Sequence, residues 1–164
     1  MDFRLLAADP DPVLLQIYRT YFATFGFDVA TAEDGLECVS LLRGFAPDAL
    51  ILNLDLTWGG AEGVLSIVRE EEMQPVPVIL TVGERNRTKA VRYLAPPVVK
   101  LLEKPFRLRD LRAIIESALH SRSSRPSWPP PGAVPESHLI EDASLALSHE
   151  SLITRIPPEG SSHV

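Results

Sequence analysis

Five short apolar runs separated by segments of helical periodicity constrain this chain more than any other feature. The runs are Phe3–Ala8, Asp28–Ala32, Ala49–Leu54, Val76–Val82 and Val98–Leu102. The third is apolar at nearly every position, which is the pattern of a strand covered on both faces. Between the runs, apolar residues recur at helical spacing. Leu14, Ile17, Tyr18, Tyr21, Phe22 and Phe25 do so before Gly26, a candidate C-cap, and Leu36, Val39, Ser40 and Leu42 follow before Gly44. Val64, Leu65, Ile67 and Val68 then mark a helix over 63–72, and a short, polar helix is expected over 85–95. The last, over 109–120, carries Leu111, Ile114, Ile115, Ala118 and Leu119. Five strands alternating with five helices predict an α/β fold, a doubly wound five-stranded parallel sheet joined by right-handed crossovers.

The pattern stops near Ser121. Residues 121–164 hold 7 of the 15 prolines, including Pro129-Pro130-Pro131, and cannot sustain helix or sheet hydrogen bonding at their start. The chain therefore divides into a folded domain over 1–120 and a Pro/Ser-rich tail over 121–164. The tail reads either as disordered throughout or as carrying one short helix over 139–156, where Leu139, Ile140, Ala143, Leu147, Leu152 and Ile153 recur. Such a helix would dock on a partner or fold back on the domain.

Charge and composition exclude several classes. A net charge of −6 argues against a general nucleic-acid binder. No apolar run is long enough to span a bilayer and no secretory leader is apparent, so a cytoplasmic protein with no membrane partner is expected. Cys38 is the single cysteine and reads as a small core residue; the four histidines, His120, His138, His149 and His163, are too scattered to form a ligand set.

In an open α/β sheet, function gathers beyond the carboxyl ends of the strands. Here those positions hold Asp9-Pro10-Asp11, Asn53 to Trp58, Thr81, and Glu103-Lys104-Pro105-Phe106. No Gly-x-Gly-x-x-Gly follows the first strand and no Gly-Lys-Ser/Thr occurs, which disfavours dinucleotides and nucleoside triphosphates. An acidic residue, a polar strand end, a hydroxyl and a lysine suit a small phosphorylated group beside a divalent metal.

Leu5-Leu-Ala-Ala-Asp-Pro-Asp-Pro12, Pro47-Asp-Ala-Leu-Ile-Leu-Asn-Leu54, Thr81 and Lys104-Pro105-Phe106 together resemble the receiver (CheY-like) domain of response regulators, over about three quarters of the chain. The resemblance implies a flavodoxin-like strand order 2-1-3-4-5, two-component phosphorelay signalling, and a non-enzymatic protein that meets a histidine kinase or another signalling protein, not DNA. In that family an aspartate ending the third strand accepts a phosphoryl group and two acidic residues after the first strand hold Mg²⁺. Thr81 and Lys104 occupy the phosphate-facing positions.

Two departures bear on that chemistry. The acceptor position is Asn53, whose amide is not a nucleophile toward phosphorus. The second acidic position is Pro10, which leaves Asp9 as the metal ligand, with Asp11 one residue late in the acidic pocket; Mg²⁺ affinity should fall accordingly. Lys104 is then expected to pair permanently with Asp9. Thr81 is expected either to face phosphate or to cap a backbone group. Leu101 stands at the family's aromatic switch position and reads as core. Trp58, between Thr57 and Gly59-Gly60, reads as a contact residue or a lid.

Three readings follow. The favoured one is an interaction module that is not phosphorylated in the usual way. The alternatives are a working receiver that uses Asp55, which shares strand parity with Asn53, together with Mg²⁺, and a small flavodoxin-like cofactor binder.

Overall fold

The protein was analysed as a computed structural model that describes residues 3–70 and 76–123. Expectations for Glu71 and Glu72, for the proline-rich stretch beyond Ser123, for the 139–156 helix and for His138, His149 and His163 lie outside the described residues. Strands β1 (Arg4–Ala8), β2 (Asp28–Ala32), β3 (Ala49–Asn53), β4 (Val78–Val82) and β5 (Val98–Glu103) alternate with α1 (Pro12–Ala23), α2 (Gly35–Phe45), α3 (Gly60–Glu70), α4 (Arg87–Ala90) and α5 (Leu108–Ser123). The strands form one sheet in the order β2-β1-β3-β4-β5, every neighbouring pair parallel.

Strand alternation divides the core into two layers. Leu6, Ala8, Leu50, Leu52, Val78 and Leu80 face α2 and α3, whose Cys38, Leu42, Val64 and Leu65 cover them. Leu5, Ala7, Ile51 and Ile79 face the opposite way, onto Leu15, Tyr18 and Phe22 of α1 and Leu111 and Ile115 of α5. A sheet buried on both faces has no polar face to show, which is why β1, β3 and β4 are apolar at successive positions. Cys38 lies fully buried as expected, and burial pushes its thiol up to about 12, with the charges of Glu37 and Asp34 adding to the effect.

Helix starts follow from capping chemistry. Asp11 is the N-cap of α1, its Oδ1 accepting from the backbone N–H groups of Val13 at 2.9 Å and Leu14 at 3.3 Å, with Pro12 beginning the helix. Asp34 caps α2 through Glu37 N at 2.9 Å, and Glu37 Oε2 returns the contact to Glu33 N at 2.9 Å.

Several elements differ from the pattern reading. The C-cap of α1 is Thr24; Gly26, with φ of 79°, turns the chain two residues later. The buried face of α1 is Leu15, Tyr18 and Phe22, while Ile17 and Phe25 are exposed. On α2 it is Gly35, Cys38 and Leu42, while Leu36 points to solvent. Helix α3 starts at Gly60, three residues before the expected start at 63, and β4 starts at Val78, after Pro77.

The largest difference is the fourth helix. Residues 84–93 form a 3₁₀ turn (Glu84–Asn86), a single α turn (Arg87–Ala90) and a second 3₁₀ turn (Val91–Tyr93). Of these ten residues Ala90 alone is buried, so no apolar stripe drives a continuous helix. Helix α5, by contrast, runs to Ser123, three residues past the predicted His120, and Arg122 donates to the carbonyl of Asp48 at 2.7 Å.

Candidate functional site at the carboxyl end of the sheet

The site grows out of strand parity. Asp9 follows β1 and continues the parity of Leu5 and Ala7, Asn53 that of Ile51, and Thr81 that of Ile79. Asn53 and Thr81 stand opposite each other in the β3–β4 register. All three are buried: Asp9 is 1% exposed, Asn53 4% and Thr81 0%. Lys104 follows β5 and is anchored by its backbone N–H, which donates to Val82 O at 2.8 Å.

Every oxygen of the Asp9 carboxylate is engaged. Oδ2 accepts from Lys104 Nζ at 2.6 Å and from Asn53 Nδ2 at 2.7 Å, and Oδ1 accepts from the backbone N–H of Asp11 at 3.0 Å. The expected pairing of Lys104 with Asp9 is thus present, as a charge-assisted contact on a fully buried carboxylate. The amide of Asn53 works in both directions: while Nδ2 donates to Asp9, Oδ1 accepts from the backbone N–H of Asp55 at 2.8 Å. A carboxylate at position 53 could accept in the same way but could not donate to Asp9.

The other candidates are placed differently. Asp11 caps α1 through its Oδ1 and meets Asp9 through its backbone N–H. An Asp followed by Pro at a helix start is the signal that could have shown this. Thr81 Oγ1 is buried without a hydrogen-bond partner and so caps no backbone group, although its carbonyl accepts from Leu54 N at 2.9 Å. Tyr18 packs beneath the site with its hydroxyl buried and unpartnered; burial first, then the charges of Asp9 and Asp11, raise its phenol well above the ordinary tyrosine range. Leu101 is partly buried and packs against the α2–α3 layer.

Asp55 is exposed on the rim, where Oδ1 accepts from Asn86 Nδ2. Asn86 is the residue that sequence reasoning missed; nothing in a polar, weakly helical segment distinguishes it before the fold brings it to Asp55. Trp58, at φ 44°, is 74% exposed and so does not roof the site. Its loop is fixed from below: Gly35 N donates to Thr57 O at 2.9 Å, and a Cβ at Gly35 would clash with the backbone oxygen of Trp58, so only glycine fits there.

The family description for the response regulator receiver domain matches residues 5–116, more than half of the chain. The chain belongs to the response regulator receiver domain family. Among curated relatives it is similar to the DNA-binding response regulator MtrA of Mycolicibacterium smegmatis, 25% identical over 124 residues, which are 76% of this chain and 54% of MtrA. It is also similar to the transcription factor SKN7 of Saccharomyces cerevisiae, 25% identical over 138 residues, 83% of this chain and 22% of that protein. This receiver chain therefore spans about half or less of the length of these relatives. Among solved structures, the receiver domain of the Francisella response regulator 1452 superposes with a TM-score of 0.67 at 22% identity, covering 74% of this chain and 99% of that one. Full-length FixJ from B. japonicum superposes with a TM-score of 0.68 at 21% identity, covering 74% and 60%. These structures share the flavodoxin-like receiver fold.

The Mg²⁺ that this family implies does not fit the donors found here. A hard divalent cation wants several oxygen donors, usually including anionic ones. Both Asp9 oxygens already accept hydrogen bonds, one from a cation, Pro10 offers no side-chain oxygen, and Asn53 turns its Nδ2 toward the carboxylate. Among the described residues no cluster of three His, Cys, Asp or Glu side chains is arranged to hold a metal. Among those residues, too, no helix is long and apolar enough to cross a membrane.

Proposed function

We propose that this receiver domain of two-component signalling works as a protein-interaction module without phosphotransfer at position 53. The observation that carries the reading is the Asn53 amide, buried and donating to Asp9 at 2.7 Å while Lys104 pairs with the same oxygen at 2.6 Å. Phosphorylation of a receiver needs a carboxylate oxygen that attacks phosphorus as the donor's leaving group departs. An amide lacks that oxygen, and Lys104 already pairs with a resident carboxylate.

Asn53 is also poorly placed to become aspartate by deamidation. Ring closure requires the Leu54 nitrogen to attack the Asn53 side chain, and that N–H is committed to Thr81 O. Asp55, the alternative acceptor, sits on the exposed rim with Oδ1 bound to Asn86 rather than beside Lys104. Without a charge change at the site, a charge-driven population shift has no source, so signalling would follow partner availability. The partner expected is a histidine kinase or another signalling protein, met through β5 and α5. MtrA and SKN7 are, by their names, a DNA-binding response regulator and a transcription factor; in this chain the described residues supply only the receiver part.

The test is the intact mass after incubation with acetyl phosphate and Mg²⁺, with N53D and D55N run beside the native protein. The native chain should stay unmodified. A gain of one phosphoryl mass, with acetate released, would overturn the reading, and its loss in D55N would assign the acceptor to Asp55.

A further inference from the structure

We infer that Asn86 is a latch that, through Asp55 and the two-sided amide of Asn53, holds segment 84–93 against the carboxyl end of the sheet in one arrangement, with no phosphoryl group needed. The inference rests on the reading of position 53 as a non-acceptor and names how the same site is regulated: it is set permanently.

The contacts form one continuous chain. Lys104 Nζ and Asn53 Nδ2 both donate to Asp9 Oδ2, Asn53 Oδ1 accepts from Asp55 N, and Asp55 Oδ1 accepts from Asn86 Nδ2. Five residues, from the ends of β1, β3 and β5, from the loop after β3 and from the 3₁₀ turn that follows β4, are thereby linked. The middle of the chain depends on an amide. Asp55 N needs an acceptor and Asp9 Oδ2 needs a donor, and Asn53 supplies one of each from a single side chain.

At the far end, Asn86 closes the first 3₁₀ turn, its own N–H donating to Gly83 O at 3.0 Å. It therefore carries the pull directly into the backbone that precedes Arg87–Ala90. A segment of three short turns with one buried residue has little packing to fix it, so polar ties decide its position. Two further ties hold its outer side: Arg87 Nε pairs with Glu103 Oε2 at 3.3 Å, and Tyr93 OH donates to Glu62 Oε2 at 3.4 Å. Asn86 is the tie that reaches the site.

What the latch presents is apolar. Val91 is 59% exposed and Leu94, just past the segment, 51%. With the segment latched, these two side chains keep one geometry, as a module that cannot be switched by charge would require.

The test is amide hydrogen exchange on the full chain, without phosphodonor, for the native protein, N86A, D55A, N53A and the double variant N53A/N86A. N86A and D55A should each raise exchange across residues 84–93 about fivefold, the worth of one net hydrogen bond, while β1 and β3 keep native protection. N53A should raise exchange in the same segment, and adding it to N86A should bring no further change there, because the link is already cut. Native exchange over 84–93 in both N86A and D55A would overturn the latch. So would an N53A effect of equal size with and without Asn86. D55A keeps the test decisive should N53A fail to fold, because it leaves the buried pair untouched. Phosphorylation of the native chain, read separately by mass, would sink the acceptor reading whatever the exchange shows.

Discussion

The carboxyl end of the sheet and the layers beneath its helices treat buried polar groups in opposite ways. At the sheet end a full negative charge is kept, and it is kept because Lys104 and Asn53 both reach Asp9 Oδ2. Under α1 and α2 the Tyr18 hydroxyl has no hydrogen-bond partner among the described residues, and burial keeps it and the Cys38 thiol neutral further into the alkaline range. A carboxylate is buried in this protein where a cation and a donor converge on it, whereas beneath the helices burial only disfavours ionisation of groups that are neutral at ordinary pH.

Breaking the sheet-end pair should therefore give the largest loss. Lys104→Met leaves Asp9 buried with its cation removed, and should destabilise the protein by about 3 kcal/mol in urea unfolding. A loss under about 1 kcal/mol would mean that water, rather than Lys104, supports Asp9. Asn53→Asp comes next. It replaces the amide donor with a second carboxylate against Asp9 and should cost about 1–3 kcal/mol. Asn53→Ala removes the donor without adding charge and should cost less than Asn53→Asp; the reverse order would show that the two carboxylates do not repel.

Beneath the helices the effect is smaller and depends on pH. The Cys38 thiol is raised on folding from 9.0 to about 12, so its contribution is fully present below pH 9 and is lost as pH climbs from there toward 12, where the unfolded thiol ionises and the folded one does not. Tyr18, raised in the same direction, adds to the alkaline loss. Cys38→Ala should flatten the decline of stability with pH over that window relative to the native protein, measured by urea midpoints at matched pH values. An unchanged slope would show that Cys38 is not the group responsible.

Much of this organisation was legible in the chain. β3 reads as a doubly covered strand because each residue from Ala49 to Leu52 is apolar, and Lys104-Pro105-Phe106 marked the end of β5. The Asp9–Lys104 pair was also foreseeable, since the Pro10 and Asn53 replacements leave a lysine and one carboxylate at the same end of the sheet. Helix faces were less legible. Phe25 extends the apparent stripe of α1, yet it lies exposed beneath the Arg112 guanidinium, 3.8 Å from its ring centroid, an aromatic used for a cation instead of for the core. The broken segment 84–93 has no stripe to read. Asp55 and Asn86 are 31 residues apart, and the Asn53 amide takes its two-sided role only once Asp9 and Asp55 stand on either side of it.

The Asp9 carboxylate is satisfied from within by Lys104 and Asn53, which opposes a divalent cation at the sheet end. Calorimetric titration of the native protein with Mg²⁺, beside the double variant P10D/N53D, addresses it most directly. The native chain should give no saturable heat at millimolar Mg²⁺, and the variant, in which the two missing carboxylates are supplied, should bind saturably. Saturable binding by the native chain, lost in Asp9→Asn, would contradict it.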